Sequence, residues 1–281
     1  MELWLVEEHT PGYSVNWKVM QTLHTEKTPF QELAVVETKD FGRALILDGI
    51  VQITLADEFI YHEMIVHVPL FTHPYPKEIL IIGGGDGAAV REVLKHSPAQ
   101  VDLIEIDKRV IEACRRYLPE VGGSLDDPRV RIVVDDGLQY VKRTERKYDV
   151  VLIDSSDPIG PATGLFGREF YQDVYRVLKD DGIMVAQTES PVFNKELLAG
   201  VSKNLQEIFP ISRVYLTCIP SYITGFWTFT MASKQYDPLQ PTRLTREPIG
   251  FDFRYYTKEV HQAAFVLPLF VKEIVGGGPD C

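Results

Sequence analysis

The chain has 281 residues, is 45% hydrophobic and 25% charged, and carries a formal charge of −11 from 29 Lys+Arg against 40 Asp+Glu. That balance belongs to a globular protein of one large domain with or without a small appendage, and excludes a disordered chain, a collagen-like rod or a coiled coil. The acidic surface predicts neither nucleic acid nor anionic membrane as partner, and no apolar run nears the roughly 18 residues that span a bilayer. The N-terminus, MELWLVEEHT, has acids where a signal peptide has bases, which predicts a cytoplasmic protein. Three scattered cysteines, Cys114, Cys218 and Cys281, suit neither a disulfide frame nor a zinc site.

Residues 1–57 alternate and turn like a β-meander. Strands are predicted over 33–38 and 44–47, split by the turn 39–42. The hairpin signal Asp48-Gly49 leads into a strand over 50–54. Apolar residues near helical spacing predict a helix over 58–71, stopped at His73-Pro74. From residue 78 the pattern changes. Strands over 79–82, 101–106, 130–134, 150–153 and 183–187 alternate with helices over 88–95, 108–117, 138–143 and 169–178. That alternation predicts right-handed crossovers and a doubly wound, mostly parallel sheet of the α/β class. A helix over 197–209, a closing antiparallel pair over 213–219 and 226–232, and one short helix around 259–271 complete it, with a frayed end at 276–281. The predicted division is a meander and oligomerisation domain, 1–57, and a catalytic domain, 58–281.

The chemistry belongs at the carboxyl ends of the parallel strands. After the first of them the chain reads Gly83-Gly84-Gly85-Asp86-Gly87-Ala88, a turn that lets backbone approach a nucleotide, with Gly83 and Gly85 as candidate contacts. Glu105, 22 residues beyond Gly83, ends the next strand where an acid binds a ribose diol. Strand, turn, helix, strand and acid together predict an adenosine-type ligand. Asp86 would repel the pyrophosphate of a dinucleotide, so the ligand is predicted to carry positive charge, as a sulfonium nucleoside does. Asp136-Gly137, after the third strand, is placed to meet the adenine and also to cap a helix. The fourth strand ends in Asp154-Ser155-Ser156-Asp157, and the Gly- and Pro-rich loop 155–167 that follows is predicted to be a lid with little means of packing.

Tyr61-His62-Glu63-Met64, GGGDGA at 83–88, Glu105-Ile106-Asp107, Asp136-Gly137, DSSDPIGPA at 154–162 and HQAAFVLP at 261–268 resemble the bacterial spermidine synthases, which are polyamine aminopropyltransferases. The resemblance covers essentially the whole chain. It implies a Rossmann-like fold similar to that of S-adenosylmethionine methyltransferases. It also implies transfer of the aminopropyl group of decarboxylated S-adenosylmethionine to putrescine, and a homodimer or homotetramer. Asp154 matches the family's proton acceptor, assisted by Tyr61. Tyr61, Asp154, Ser155, Ser156, Asp157 and Tyr222, with Gln187, match the diamine site, and Trp227 falls where its wall should be. Gln31, His62, Asp86, Glu105, Asp136, Gly137 and Pro161 match positions that hold the aminopropyl donor. That donor is a co-substrate; no tightly bound cofactor and no metal is expected. Burial or the neighbouring Asp157 is expected to raise the pKa of Asp154 towards that of a useful base. The alternatives are a methyltransferase on the same fold and a non-catalytic nucleoside-binding protein.

Overall fold

A computed structural model describes residues 2–158, 160–244 and 251–276, with the side chain of Pro161 excepted. The predicted fraying beyond residue 276 therefore lies outside the described residues. The chain begins with β1 (Leu3–Thr10), β2 (Tyr13–Lys27), β3 (Glu32–Thr38), β4 (Gly42–Leu47) and β5 (Ile50–Thr54), an antiparallel sheet in sequence order. The meander prediction holds, and β1 and β2 are extra strands that it left unplaced. Asp48 and Gly49 both have positive φ, 49° and 82°, as a two-residue hairpin requires when its turn matches the twist of the strands. One face of this sheet, with Leu33, Val35, Leu45 and Ile53, packs on Val110, Ala113 and Cys114 of the larger domain. Strands β1 and β2 leave Leu3, Trp4, Val6 and Met20 exposed.

Then α1 (Glu58–Thr72) runs into β6 (Glu78–Gly83), α2 (Ala88–Leu94), β7 (Gln100–Glu105), α3 (Lys108–Tyr117), α4 (Pro119–Gly122), β8 (Val130–Val134), α5 (Gly137–Arg143) and β9 (Tyr148–Asp154). After them come α6 (Arg168–Val177), β10 (Leu178–Gln187), α7 (Lys195–Ile208), β11 (Ile211–Cys218), β12 (Phe226–Ser233), α8 (Lys258–Ala264) and α9 (Leu269–Ile274). The second sheet has the order β11-β12-β10-β9-β6-β7-β8. Its five adjacent strands β10-β9-β6-β7-β8 are parallel, and β12 closes against β10 antiparallel. The central strands are continuous apolar runs because both faces are covered. The chain runs from β6 outward to β7 and β8, then returns to place β9 on the other side of β6. The switch point between β6 and β9 opens a crevice at their carboxyl ends, where Gly83 and Asp154 are paired neighbours.

Three expectations are corrected. Helix α1 is buried on every side from Ile60 to Thr72, not on one apolar stripe, because it lies beneath both α2 and the sheet. The single C-terminal helix is two, α8 and α9, since Pro268 can neither donate a backbone hydrogen bond nor let its predecessor stay helical. The loop after β9 is not short of packing: residues 160–166 form a 3₁₀ turn, with Phe166 buried in the core and Leu165 against it. Among the described residues, no helix is long and apolar enough to cross a membrane.

Candidate active site

The glycine turn is built as much to meet its neighbours as to meet a ligand. Gly83 has φ 81°, and a Cβ there would lie 2.1 Å from the carbonyl oxygen of Asp154; Gly84 N donates to that same oxygen at 2.9 Å. A Cβ on Gly85 would lie 2.8 Å from Oε2 of Glu105. The donor-side loop and the candidate base therefore share a backbone seam. Asp86 turns one carboxylate oxygen back to accept from Ala88 N at 2.7 Å, opening α2.

Glu105 is buried at the end of β7 and accepts from Asp107 N at 2.8 Å. Burial, against that bond and with the charge of Asp107 nearby, pushes its carboxyl up to about 7. Asp107 in turn accepts from Gln31 Nε2 at 3.0 Å and Thr28 Oγ1 at 2.7 Å, which ties the end of the N-terminal hairpin to the rim of the crevice. Asp136 caps α5 through Leu138 N at 2.8 Å, and Gly137 lies so close to Ile82 that a Cβ would come within 2.4 Å of it. Gln31, Gly83, Gly85, Asp86, Glu105 and Asp136 line one cavity of about 220 Å³, and Gly137 is with them. The side chain of Pro161 lies outside the described residues.

Asp154 stands at the centre. Tyr61 donates its phenol proton to Oδ1 at 2.7 Å, and Oδ2 is buried without a hydrogen-bond partner. Burial, helped by the Asp86 charge and opposed by His62 and the Tyr61 hydroxyl, pushes Asp154 up to about 6. The cause is thus burial with Asp86, and the expected contribution of Asp157 is corrected. Burial and the Asp154 charge hold the Tyr61 phenol well above its ordinary value, so it stays a neutral donor. His62 is fully buried on α1, its Nδ1 against Glu58 and its Nε2 facing Asp86 at 3.8 Å and Asp154 at 4.0 Å.

Beyond Asp154 a second cavity, also about 220 Å³, shares Tyr61, Ser155, Ser156, Asp157 and Tyr222 with the first. Tyr222 is placed by Asp57, whose carboxylate accepts from Ser221 N at 2.7 Å and Ser221 Oγ at 3.0 Å; its own hydroxyl donates to Gln52 O at 2.9 Å. Gln187 and Trp227 line this cavity too, and Gln187 Nε2 donates to Ser155 O at 3.2 Å.

Two acids here escaped the sequence reading. Glu7 projects inward from β1 and accepts from Trp17 Nε1 at 2.7 Å and Val51 N at 3.0 Å; burial raises its carboxyl to about 7. Glu189 follows β10 with φ 69°, an unusual backbone for a glutamate, accepts from Gln187 Nε2 at 3.0 Å and Asn194 Nδ2 at 2.7 Å, and lines the same cavity as Asp157. Burial and the Asp157 charge push Glu189 up to about 8. The in-facing alternation of Leu5, Glu7 and His9 was the available signal for the first. The second had none, because only the fold brings 157 and 189 together.

Among the described residues, two groups bring a histidine nitrogen and two carboxylates within 4.8 Å of one another. In the group His73–Asp149–Asp181, Nδ1 of His73 accepts from Tyr75 N at 3.1 Å, so Nε2 carries the proton and offers no lone pair. Asp149 is spent on Lys179 and on the backbone of Lys77 and Glu78. The other group, His62–Asp86–Asp154, is the heart of the crevice, with two carboxylates aimed at one point, which suits an organic cation.

A Rossmann-like sheet whose switch point holds a cavity lined by a glycine turn and a buried strand-end glutamate, adjoining past a buried carboxylate an acid-lined one, defines an α/β transferase-type site for cationic ligands. Comparisons with known proteins narrow this. The family described as "Spermine/spermidine synthase domain" matches residues 58–241, and "Spermidine synthase tetramerisation domain" matches residues 3–54. A polyamine aminopropyltransferase of Moorella thermoacetica is 54% identical over 97% of this chain and 96% of its own length. One of Bacillus subtilis is 49% identical over 98% of this chain and 99% of its own. A crystal structure of spermidine synthase in complex with the transition-state analogue AdoDATO superposes with TM-score 0.94 at 41% identity, covering 98% of this chain and 95% of that one. The spermidine synthase of Thermotoga maritima superposes with TM-score 0.92 at 40% identity, covering 98% and 95%. The chain belongs to the spermine/spermidine synthase family.

Proposed function

We propose that the chain transfers the aminopropyl group of decarboxylated S-adenosylmethionine to putrescine, giving spermidine and methylthioadenosine. The observation that carries this is the pair of adjoining cavities that share Tyr61, Tyr222 and residues 155–157, with Asp154 in the wall of the first. One has a ribose-type acid, Glu105, at its far wall, and the other is lined by Asp157, Glu189 and Glu7.

A primary amine with a pKa of about 10.4 arrives protonated. Tyr61 fixes the Asp154 carboxylate, which takes a proton from the attacking ammonium. The bared nitrogen attacks the propyl carbon bonded to sulfur. The N–C bond forms, the C–S bond breaks, and its electron pair neutralises the sulfonium, so the thioether leaves without an acid. Asp154 then passes its proton to solvent. Holding two cations in line is the main cost of the reaction, and the surrounding carboxylates offset it. Gln31, Glu105, Asp136, Gly137 and Pro161 belong to the nucleoside side, with the backbone of Gly83 and Gly85. His62 and Asp86 face the donor's amine. Ser155, Ser156, Asp157, Gln187 and Tyr222 line the acceptor side, with Glu7 and Glu189 towards the acceptor's second amine.

The step draws on no metal, and turnover after exhaustive chelation is the expected result. A cytoplasmic setting, the division at 57/58, and a dimer or tetramer joined through the N-terminal sheet complete the reading. They are supported by the charge, the two separate sheets and the exposed apolar residues of β1 and β2. The test is incubation with decarboxylated S-adenosylmethionine and putrescine, watching for methylthioadenosine and spermidine. Absence of both from folded protein overturns the reading, and methyl transfer from S-adenosylmethionine would put the methyltransferase in its place.

A further inference from the structure

We infer that His62 holds, in the empty site, the positive charge that the donor's aminopropyl ammonium later brings, and that binding exchanges one for the other. The Nε2 proton leaves to solvent, and the bared lone pair accepts a hydrogen bond from the ammonium. The exchange rests on the aminopropyl donor proposed above.

The assignment of protons follows from partners. Nδ1 of His62 lies 2.7 Å from the backbone oxygen of Glu58 and 3.0 Å from its Oε2. A carbonyl has no proton to give, so Nδ1 is the donor whatever the charge of the ring. Any gain or loss of a proton therefore occurs at Nε2. That atom is buried and without a hydrogen-bond partner, and so is Asp154 Oδ2, 4.0 Å away. Asp86 Oδ1 lies 3.8 Å from Nε2 on the other side. At such separations an imidazolium neutralises the carboxylates without bonding to either. An ammonium has three N–H groups to distribute, and the point between these atoms offers three acceptors: Asp86, Asp154 and a neutral Nε2.

Every charged or titratable group facing the ring pulls the same way. Glu58 lies on its own helix, held by both guanidinium arms of Arg91 from α2 at 2.9 Å. Asp86 comes from the loop after β6, Asp154 from the end of β9, and the neutral Tyr61 ring stands edge-on with its centroid 5.0 Å away. Burial by itself would lower the imidazole, but Glu58, Asp86 and Asp154 outweigh it and raise His62 to about 9. Retained protonation would set two cations side by side, one of them on a fully buried ring. Exchange instead leaves the charge of the cluster unchanged and converts a repelling N–H into a third acceptor.

The experiment counts protons. The ligands are decarboxylated S-adenosylmethionine and methylthioadenosine, which shares the nucleoside but lacks the ammonium. Each is titrated calorimetrically into the full chain in two buffers of different ionisation enthalpy. Near about pH 7.5, the donor should release about one proton more than methylthioadenosine. Taking the difference cancels any titration of Glu105, and Glu7 and Glu189 lie at the acceptor end that neither ligand reaches. Because the bound state has lost a proton, donor affinity should climb about tenfold per pH unit below the pKa of His62, while that of methylthioadenosine lacks this rise. In His62→Gln the extra proton and the slope should vanish with methylthioadenosine binding retained. Equal proton counts for the two ligands in the native protein overturn the exchange even if the variant does not fold, and so does an extra proton that survives in His62→Gln. Formation of methylthioadenosine from donor and putrescine is scored separately, so an active enzyme with no extra proton refutes the exchange alone.

Discussion

Helix α1 carries two fully buried histidines, and a single arginine serves both. Arg91 pairs with Glu58 beside His62, and its Nε donates at 2.8 Å to Glu92 beside His67. At His67 both ring nitrogens are taken, Nε2 by Glu92 at 2.9 Å and Nδ1 by His96 Nε2 at 2.9 Å. Phe71, Phe253 and Tyr256 pack round that ring. Burial lowers His67 in spite of Glu92. At His62 one nitrogen is taken and the other faces a cavity between two acids. Burial and a paired glutamate are thus common to a structural and a chemical histidine. What separates them is an unfilled bond.

The comparison is broken most directly at the cavity. Asp154→Asn should keep the fold and methylthioadenosine binding and lower kcat about 10²–10⁴-fold, the range for a lost general base; near-native turnover would remove Asp154 from the mechanism. Asp86→Asn should weaken the donor by about 10–100-fold, as a charge-assisted bond is worth about 1.5–3 kcal/mol. It should weaken S-adenosylmethionine less, because that ligand's extra carboxylate no longer meets a like charge. Calorimetry of both ligands decides, and equal losses would sink the selectivity argument.

At the filled end the expectation reverses. His67→Asn should cost about 1–3 kcal/mol of stability by removing one partner of Glu92 and the ring-nitrogen partner of His96 Nε2, with kcat essentially native below the melting transition. A large fall in kcat with native stability would erase the distinction between the two histidines.

A finer probe is the acid limb of kcat/KM for putrescine. Asp154 must be ionised to accept a proton, so activity should fall as pH drops through about 6. Tyr61 stabilises the carboxylate form, so Tyr61→Phe should move that limb to higher pH; a limb that stays in place would exclude the hydrogen bond from the tuning. The smallest effect is expected in the loop after β9. Amides of 155–158 should exchange quickly in the free protein and slowly with methylthioadenosine and putrescine bound. Those of 160–166 should be protected throughout by Phe166. Equal protection of 155–158 in both states would leave closure unsupported.

The parallel sheet was legible because runs such as Ile79-Leu80-Ile81-Ile82 are apolar without alternation, which only burial on both faces explains. Asp48-Gly49 was legible because both residues tolerate positive φ. The nucleoside side and Asp154 could be read because each lies on a strand end or just after it. Chain order alone places these residues at one sheet edge. The acids at the far end of the acceptor cavity could not be read, and Tyr222 was reached only through the family resemblance. Glu7 comes from the other sheet, Tyr222 is set by the long-range Asp57–Ser221 bonds, and Glu189 comes beside Asp157 only once β9 and β10 are side by side. Helix α4 and the break at Pro268 were missed because four-residue helices and single prolines leave almost no periodic trace.

The seam between Gly83 and Asp154 has a thermal consequence. The spacing of the donor loop from the base is set by paired backbone in the middle of the parallel sheet, with no flexible side chain in between. Central strands are among the last parts of a domain to open. The alignment of nucleophile, carbon and sulfur should therefore survive heating until the whole sheet melts. Inactivation and loss of tertiary signal should then coincide on a temperature ramp, without the early decline of an enzyme whose site is assembled from mobile loops.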